Sequence, residues 1–123
     1  MSHFVLAAGG TGGHMMPAHA LAEELMRRGH HVALVTDERG TRFPGLFENV
    51  ATHVLPAGRL GGGPLGYLRA ARSIWAGRSM ALRLFESFRP SAVMGFGGYP
   101  ALPSLLAAFA AKIPTAVHEQ NAV

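Results

Sequence analysis

Short, unbroken apolar runs alternate along this chain with longer stretches whose apolar positions recur at helical spacing. Phe4-Val5-Leu6-Ala7-Ala8 stops at Gly9-Gly10, and its continuous rather than alternating pattern predicts a parallel strand buried on both faces. Val32-Ala33-Leu34-Val35-Thr36 predicts a second strand ending at Asp37, and Thr52-His53-Val54-Leu55 a third closed by Pro56. Ser91-Ala92-Val93-Met94, running into Gly95-Phe96-Gly97-Gly98, gives a fourth, and Thr115-Ala116-Val117 a fifth buried strand. Between them, Pro17 suits a first helical turn, and Ala18, Leu21, Ala22 and Leu25 keep helical spacing to a stop at Gly29. Residues 38–49 are mixed and contain Pro44, which predicts a loop with a short helix. Residues 58–66 hold five glycines and one proline, a flexible lead-in to a long helix over 65–88 that Gly77 would break. Residues 102–111 form an alanine-rich helix. Strands alternating with helices imply an α/β, Rossmann-like fold: a parallel sheet of order 3-2-1-4-5, with right-handed crossovers and flanking helices.

Composition narrows the chemistry. The 123 residues have room for one domain. A 49% hydrophobic content, 15% charged content and mean hydropathy of +0.21 exclude intrinsic disorder. The absence of cysteine excludes disulfide scaffolds, thiolate zinc sites and cysteine nucleophiles. Asp37 is the sole aspartate, so no Asp-x-Asp metal clamp is available; His3, His19, His30, His31 and His53 have no metal-ligand spacing. We therefore expect neither a metal nor a cofactor. Eleven basic residues against seven acidic give a net charge of +4, which fits an anionic partner or simply an arginine-rich surface. No dedicated nucleic-acid motif accompanies the charge, so nucleic acid is not an expected partner. No apolar run approaches the ~18 residues of a membrane span, and Met1-Ser2-His3-Phe4 lacks the basic flank of a signal peptide. The expected protein neither spans a membrane nor is secreted.

In a sheet of this order, ligands bind beyond the carboxyl ends of the strands where the order reverses. Three loops would converge there: Gly9-Gly10-Thr11-Gly12-Gly13-His14, Gly95-Phe96-Gly97-Gly98-Tyr99-Pro100 and His118-Glu119-Gln120-Asn121. Glycine lets backbone approach a ligand closely, and the helix after the first loop adds its positive end, so the crevice favours a phosphate or pyrophosphate. The first loop is not a standard nucleotide signature. A dinucleotide fingerprint read from Gly10 would need glycine at Met15, and a P-loop would need a lysine, whereas Lys112 is the sole one. Asp37 and Arg39, at the end of strand two, keep a dinucleotide-binding half-domain open as an alternative. His14 stands at the mouth of the crevice, where an imidazole can serve as general base or simply pack. His118-Glu119-Gln120-Asn121 could bind sugar hydroxyls, orient a base, or form a solvated loop. Tyr99 could stack on a ligand or cap the core.

The long helix carries a second candidate surface. At ~100° per residue, Arg69, Arg72 and Arg83 share a sector of about 60°. Leu68, Ala71, Ile74, Trp75, Ala81, Leu82 and Phe85 fill a broad adjoining one, with Arg78 at its edge. Such a helix could lie on an anionic membrane or pack its apolar face on the sheet, and a break at Gly77 would allow both.

The three loops, in this order and spacing, resemble those of the MurG family of glycosyltransferases, with Pro17 also in register. The resemblance spans essentially the whole chain and implies the N-terminal half of a GT-B enzyme of two Rossmann-like domains. It implies transfer of N-acetylglucosamine from UDP-N-acetylglucosamine to the C4 hydroxyl of undecaprenyl-pyrophosphoryl-MurNAc-pentapeptide (lipid I), inverting the anomeric centre to give a β-1,4 link. By this resemblance His14 and Glu119 are the candidate catalytic residues, and Gly10, Thr11, Gly12, Gly13, Gly97 and Gly98 hold the acceptor pyrophosphate. Tyr99, His118, Glu119 and Asn121 would contact or orient the acceptor. Leu68, Arg69, Arg72, Trp75 and Arg78 would touch an anionic membrane, placing the protein peripherally on the cytoplasmic face of the bacterial inner membrane. The family's second domain, which binds most of the donor, has no counterpart in residues 1–123. The expectation is an acceptor-binding, membrane-associating domain that does not turn over alone; the alternative is a non-catalytic membrane-binding or dinucleotide-binding domain.

Overall fold

A computed structural model describes residues 2–42, 47, 50–55, 63–98 and 100–118. In chain order the elements are β1 (His3–Ala7), α1 (Gly12–Arg27), β2 (His31–Thr36), a 3₁₀ turn (Glu38–Arg42), β3 (Ala51–Val54), α2 (Gly63–Phe88), β4 (Ala92–Gly95), α3 (Ala101–Ala110) and β5 (Thr115–Val117). All described strands run parallel in the order β3-β2-β1-β4-β5, as the alternating pattern predicts. Leu6 of the central strand pairs with Leu34 on one side and Met94 on the other.

The apolar runs are continuous because each face of the sheet has its own core. Val5, Ala7, Val35 and Val93 point to one side, where Leu55, Ala81, Phe85, Ala107 and Ala108 meet them from α2, α3 and the end of β3. Leu6, Ala8 and Leu34 point to the other, against Met15, Ala18 and Ala22 of α1, with Phe47, Val50 and Phe96. Fully burying one such Val, Leu or Phe side chain contributes about 1.5–3 kcal/mol.

The structure differs from the sequence pattern at four places. α1 begins at Gly12, so Pro17 is its sixth residue, not a member of the first turn. Thr11, with extended backbone at φ −106° and ψ 155°, sets the start instead. Pro17 only removes one N–H inside the helix. α2 is likewise continuous through Gly77, which is buried where a Cβ would lie 3.1 Å from Pro103 Cβ. The glycine there is a seat for α3, not a break. Part of the glycine-rich lead-in is helical from Gly63, with Pro64 in the first turn, where a missing N–H costs nothing. Finally, β5 is an edge strand among the described residues, and Val117 is 68% exposed rather than buried. A three-residue apolar run reads the same whether or not a neighbour covers it.

Candidate functional site

The crevice forms beyond the carboxyl ends of β1 and β4, whose loops are laced together. Phe96 N–H donates to Ala7 O (2.8 Å) and Gly9 N–H to Gly97 O (2.9 Å), while Ala8 N–H donates to Val35 O (2.9 Å) of β2 on the other side. Such close passage needs glycine. Gly97 and Gly98 have φ of +97° and +83°, and a Cβ on Gly98 would come within 2.7 Å of Gly9 Cα.

The His14 ring is seated in this joint. A Cβ on Gly9 would lie 3.0 Å from His14 Nδ1, and one on Gly97 would lie 3.0 Å from Nε2 and 3.1 Å from Cδ2. Thr11 Oγ1 is 3.0 Å from Nδ1. Gly9, Gly97 and Gly98 thus line a slot for an imidazole, a use the sequence reading missed for Gly9. The Thr-x-x-His spacing was the available signal, because residues three apart in a helix share a face.

His14 also belongs to the first turn of α1. Its N–H and that of Met15 both bond to Thr11 O (3.1 and 2.8 Å). The amides of Gly12 and Gly13 come before any intrahelical acceptor is available, both residues are exposed, and no acidic side chain occupies this turn. The turn therefore offers free donors and the positive end of the helix, the two ingredients of an anion site. Gly10 plays a different part. Its N–H donates to Asp37 Oδ1 (3.2 Å), and a Cβ would fall 2.2 Å from Gly40 N, so its contribution to a cradle is the shape of the turn.

Asp37, only 1% exposed, also accepts from the Arg39 N–H (2.9 Å) and guanidinium (2.8 Å). Burial alone would push its carboxyl up, but the Arg39 guanidinium and the two N–H groups hold it below the ordinary value. The two residues that kept a dinucleotide site open are thus paired with each other, tying the β1 and β2 loops together.

His118 continues the line of β5, with its N–H on Gly95 O (2.8 Å) and its ring 5.5 Å from that of Phe96. Its Nδ1 is buried and has no hydrogen-bond partner among the described residues. Tyr99, Glu119 and Asn121 lie outside the described residues.

The outer face of α2 presents Leu68 (51% exposed) and Trp75 (64% exposed), together with exposed Leu65 and Tyr67. Arg69 and Arg72 are exposed beside them, and the Arg78 guanidinium sits 4.9 Å from the Trp75 ring centroid. The broad apolar sector divides: Ala81 and Phe85 enter the core, whereas Leu68 and Trp75 face outward. Among the described residues no helix is long and apolar enough to cross a membrane. A separate open groove of about 460 Å³ lies between β3 and the second half of α2, lined by His53, Met80, Arg83, Leu84 and Ser87. Its described lining holds one full cation and no convergent set of polar groups, so the crevice is the better candidate.

Comparison with known proteins gives the family of the chain. A model of the glycosyltransferase family 28 N-terminal domain matches residues 4–123. The chain is 75% identical over 120 residues to the UDP-N-acetylglucosamine–N-acetylmuramyl-(pentapeptide) pyrophosphoryl-undecaprenol N-acetylglucosamine transferase of Zymomonas mobilis, covering 98% of this chain and 31% of that protein. It is 52% identical over 123 residues to the protein of the same name from Rhodospirillum centenum, covering 100% of this chain and 32% of that one. Among solved structures, MurG of Acinetobacter baumannii superposes with a TM-score of 0.83 at 35% identity, over 99% of this chain and 36% of that chain. The calicheamicin glycosyltransferase CalG4 shares the fold, with a TM-score of 0.71 at 20% identity, over 100% of this chain and 31% of that one. The chain spans about a third of the length of the curated relatives it matches.

Proposed function

This chain belongs to the glycosyltransferase family 28 N-terminal domains, and from that premise we propose that it forms the acceptor side of a MurG-type N-acetylglucosaminyltransferase of peptidoglycan synthesis. The donor is UDP-N-acetylglucosamine, bound mainly by sequence outside residues 1–123, and the acceptor is lipid I. The observation that carries this reading is the His14 imidazole, slotted between the two glycine loops at the first turn of α1. A base and a set of anion donors therefore share one crevice, as a sugar hydroxyl near a pyrophosphate requires.

In this mechanism the amides of Gly12 and Gly13, with the Thr11 hydroxyl, hold the acceptor pyrophosphate at the positive end of α1. Gly97 and Gly98 allow the acceptor to come close to the joint, and Tyr99, His118, Glu119 and Asn121 orient its sugar. The His14 imidazole takes the proton of the C4 hydroxyl as that oxygen attacks the anomeric carbon from the face opposite UDP. The bond from that carbon to the UDP oxygen breaks, UDP leaves with the electron pair, and the anomeric centre is inverted. Glu119 is the second catalytic candidate. Leu68, Trp75, Arg69, Arg72 and Arg78 rest on the anionic cytoplasmic face of the inner membrane, keeping the domain where a lipid-linked acceptor resides.

The test joins this chain to the remaining length of the Zymomonas mobilis relative and follows transfer of labelled N-acetylglucosamine to a lipid I analogue. Turnover is expected in the fusion and not with the 123-residue chain alone. His14→Ala is expected to lower kcat by about 10²–10⁴ while acceptor binding changes far less. An undiminished kcat in that variant would remove His14 from the chemistry, and turnover by the chain alone would refute the division of labour.

A further inference from the structure

Thr11 occupies the N-cap of α1, from which a threonine hydroxyl ordinarily accepts a backbone N–H of the second or third helical residue. It makes no such bond here. Its Oγ1 lies instead 3.0 Å from Nδ1 of His14, the third residue of the helix. The fold thus forgoes a helix cap in favour of a contact with an imidazole.

Either neutral form of the ring can make that contact, since the hydroxyl accepts from Nδ1–H or donates to a bare Nδ1, so the choice lies with Nε2. A proton on Nδ1 finds Thr11 Oγ1 as its acceptor. A proton on Nε2 finds no acceptor among the described residues, since that edge of the ring lies along the Gly97 backbone. In the Nδ1–H form the ring N–H has a protein acceptor and the hydroxyl keeps its own proton, whereas in the Nε2–H form the ring N–H has none and the hydroxyl proton is spent on Nδ1. The hydroxyl's own proton is free to turn toward the crevice, because Thr11 is only half-buried. The hydrogen bond at one ring nitrogen fixes the state of the other.

We propose that Thr11 is a positioning residue which holds neutral His14 as the Nδ1–H tautomer, so that the Nε2 lone pair faces the Gly97 side of the crevice. The proposal concerns the resting chain and takes on catalytic meaning through the reading of His14 as base, on which it rests in that respect. Thr11 then serves two groups at once, accepting from Nδ1–H and donating outward.

The tautomer can be read directly in the 123-residue chain. Long-range ¹H–¹⁵N correlation of ¹⁵N-histidine-labelled protein, well above the ordinary histidine pKa of about 6.5, separates the protonated from the unprotonated ring nitrogen. We expect the proton of His14 on Nδ1 in the wild type and in Thr11→Ser. In Thr11→Val it should redistribute to Nε2. A wild-type ring protonated on Nε2 would overturn the proposal, as would a Thr11→Val ring still fully protonated on Nδ1. The wild-type spectrum decides the matter even if the valine variant folds poorly. In the fusion with the Zymomonas mobilis relative, Thr11→Val should lower kcat about ten- to a hundredfold, with acceptor KM raised as well because the outward hydroxyl donor is lost, and with both recovered in Thr11→Ser. A normal kcat in Thr11→Val would overturn the positioning role. If His14→Ala retained kcat while the Nδ1–H tautomer was observed, the base reading would fail and the Thr11 assignment would stand.

Discussion

Replacing Gly13 with alanine adds one methyl group to the first turn of α1, where nothing lies within 4 Å of the new Cβ. The helix should gain from it. Alanine is favoured over glycine by about 0.5–1 kcal/mol in a helix, which for a domain of this size raises the unfolding midpoint by about 3–6 °C per kcal/mol. The same methyl covers the exposed amides through which the turn would hold an anion. Loss of one charge-assisted hydrogen bond costs about 1.5–3 kcal/mol, equivalent to roughly 10- to 150-fold in affinity. Urea unfolding and calorimetric titration with inorganic pyrophosphate, on the same preparations, should therefore move in opposite directions. Gly98→Ala is the contrast. Its Cβ would meet Gly9 Cα at 2.7 Å at a φ of +83°, and it should lose about 2–4 kcal/mol of stability from backbone strain and overpacking. A destabilised Gly13→Ala would refute the helical first turn. A stabilised Gly13→Ala with unchanged pyrophosphate affinity would refute close backbone approach as the reason for glycine there.

Two further outcomes can be measured on the chain alone. Asp37 has a native pKa below its unfolded value, so its contribution is complete above about pH 3.9 and is lost as the pH falls below that toward the native value; Asp37→Asn should flatten the acid limb of the stability–pH curve and cost about 1–3 kcal/mol at pH 7, and an unchanged acid limb would refute the Asp37–Arg39 lock. Leu68→Glu and Trp75→Glu should reduce co-sedimentation with anionic vesicles while moving stability by no more than about 0.5 kcal/mol. Arg69→Gln and Arg72→Gln should each weaken that binding by about 1 kcal/mol, and full binding in a combined variant of all four would refute the α2 face as the contact.

The sheet was legible in the sequence because residues 5–8 and 32–36 are buried on both faces, and only continuous apolar runs satisfy two cores at once. The glycine loops were legible as a crevice because their places follow from strand order. What the sequence hid was which tertiary partner each glycine serves. Gly77 reads as a helix break until Pro103 of α3 is seen against it, and Gly9 reads as a turn residue until the His14 ring is seen beside it. Pro17 misled for a related reason. Proline's preference for a first turn is real, but the start of α1 is set by Thr11, six residues earlier in the chain. The Asp37–Arg39 pair shows a third limit, since an acid at the end of β2 can serve a ribose or its own loop, and only the hydrogen bonds distinguish the two.

The direction of α2 has a consequence for how this domain would meet a substrate tethered in a bilayer. The helix runs against the strands: His3 Nδ1, at the start of β1, lies 2.6 Å from Phe88 O at its far end. Its 26 residues span about 39 Å, so its first turns stand at the same end of the sheet as the crevice. The outward Leu65 and Leu68 therefore stand at the crevice end of the sheet, while Phe85 anchors the opposite end in the core. A domain resting on a lipid surface through those first turns would hold its crevice at a fixed height and tilt. Encounter with an acceptor would then be a two-dimensional search along the surface, governed by lateral diffusion rather than by capture from bulk solution.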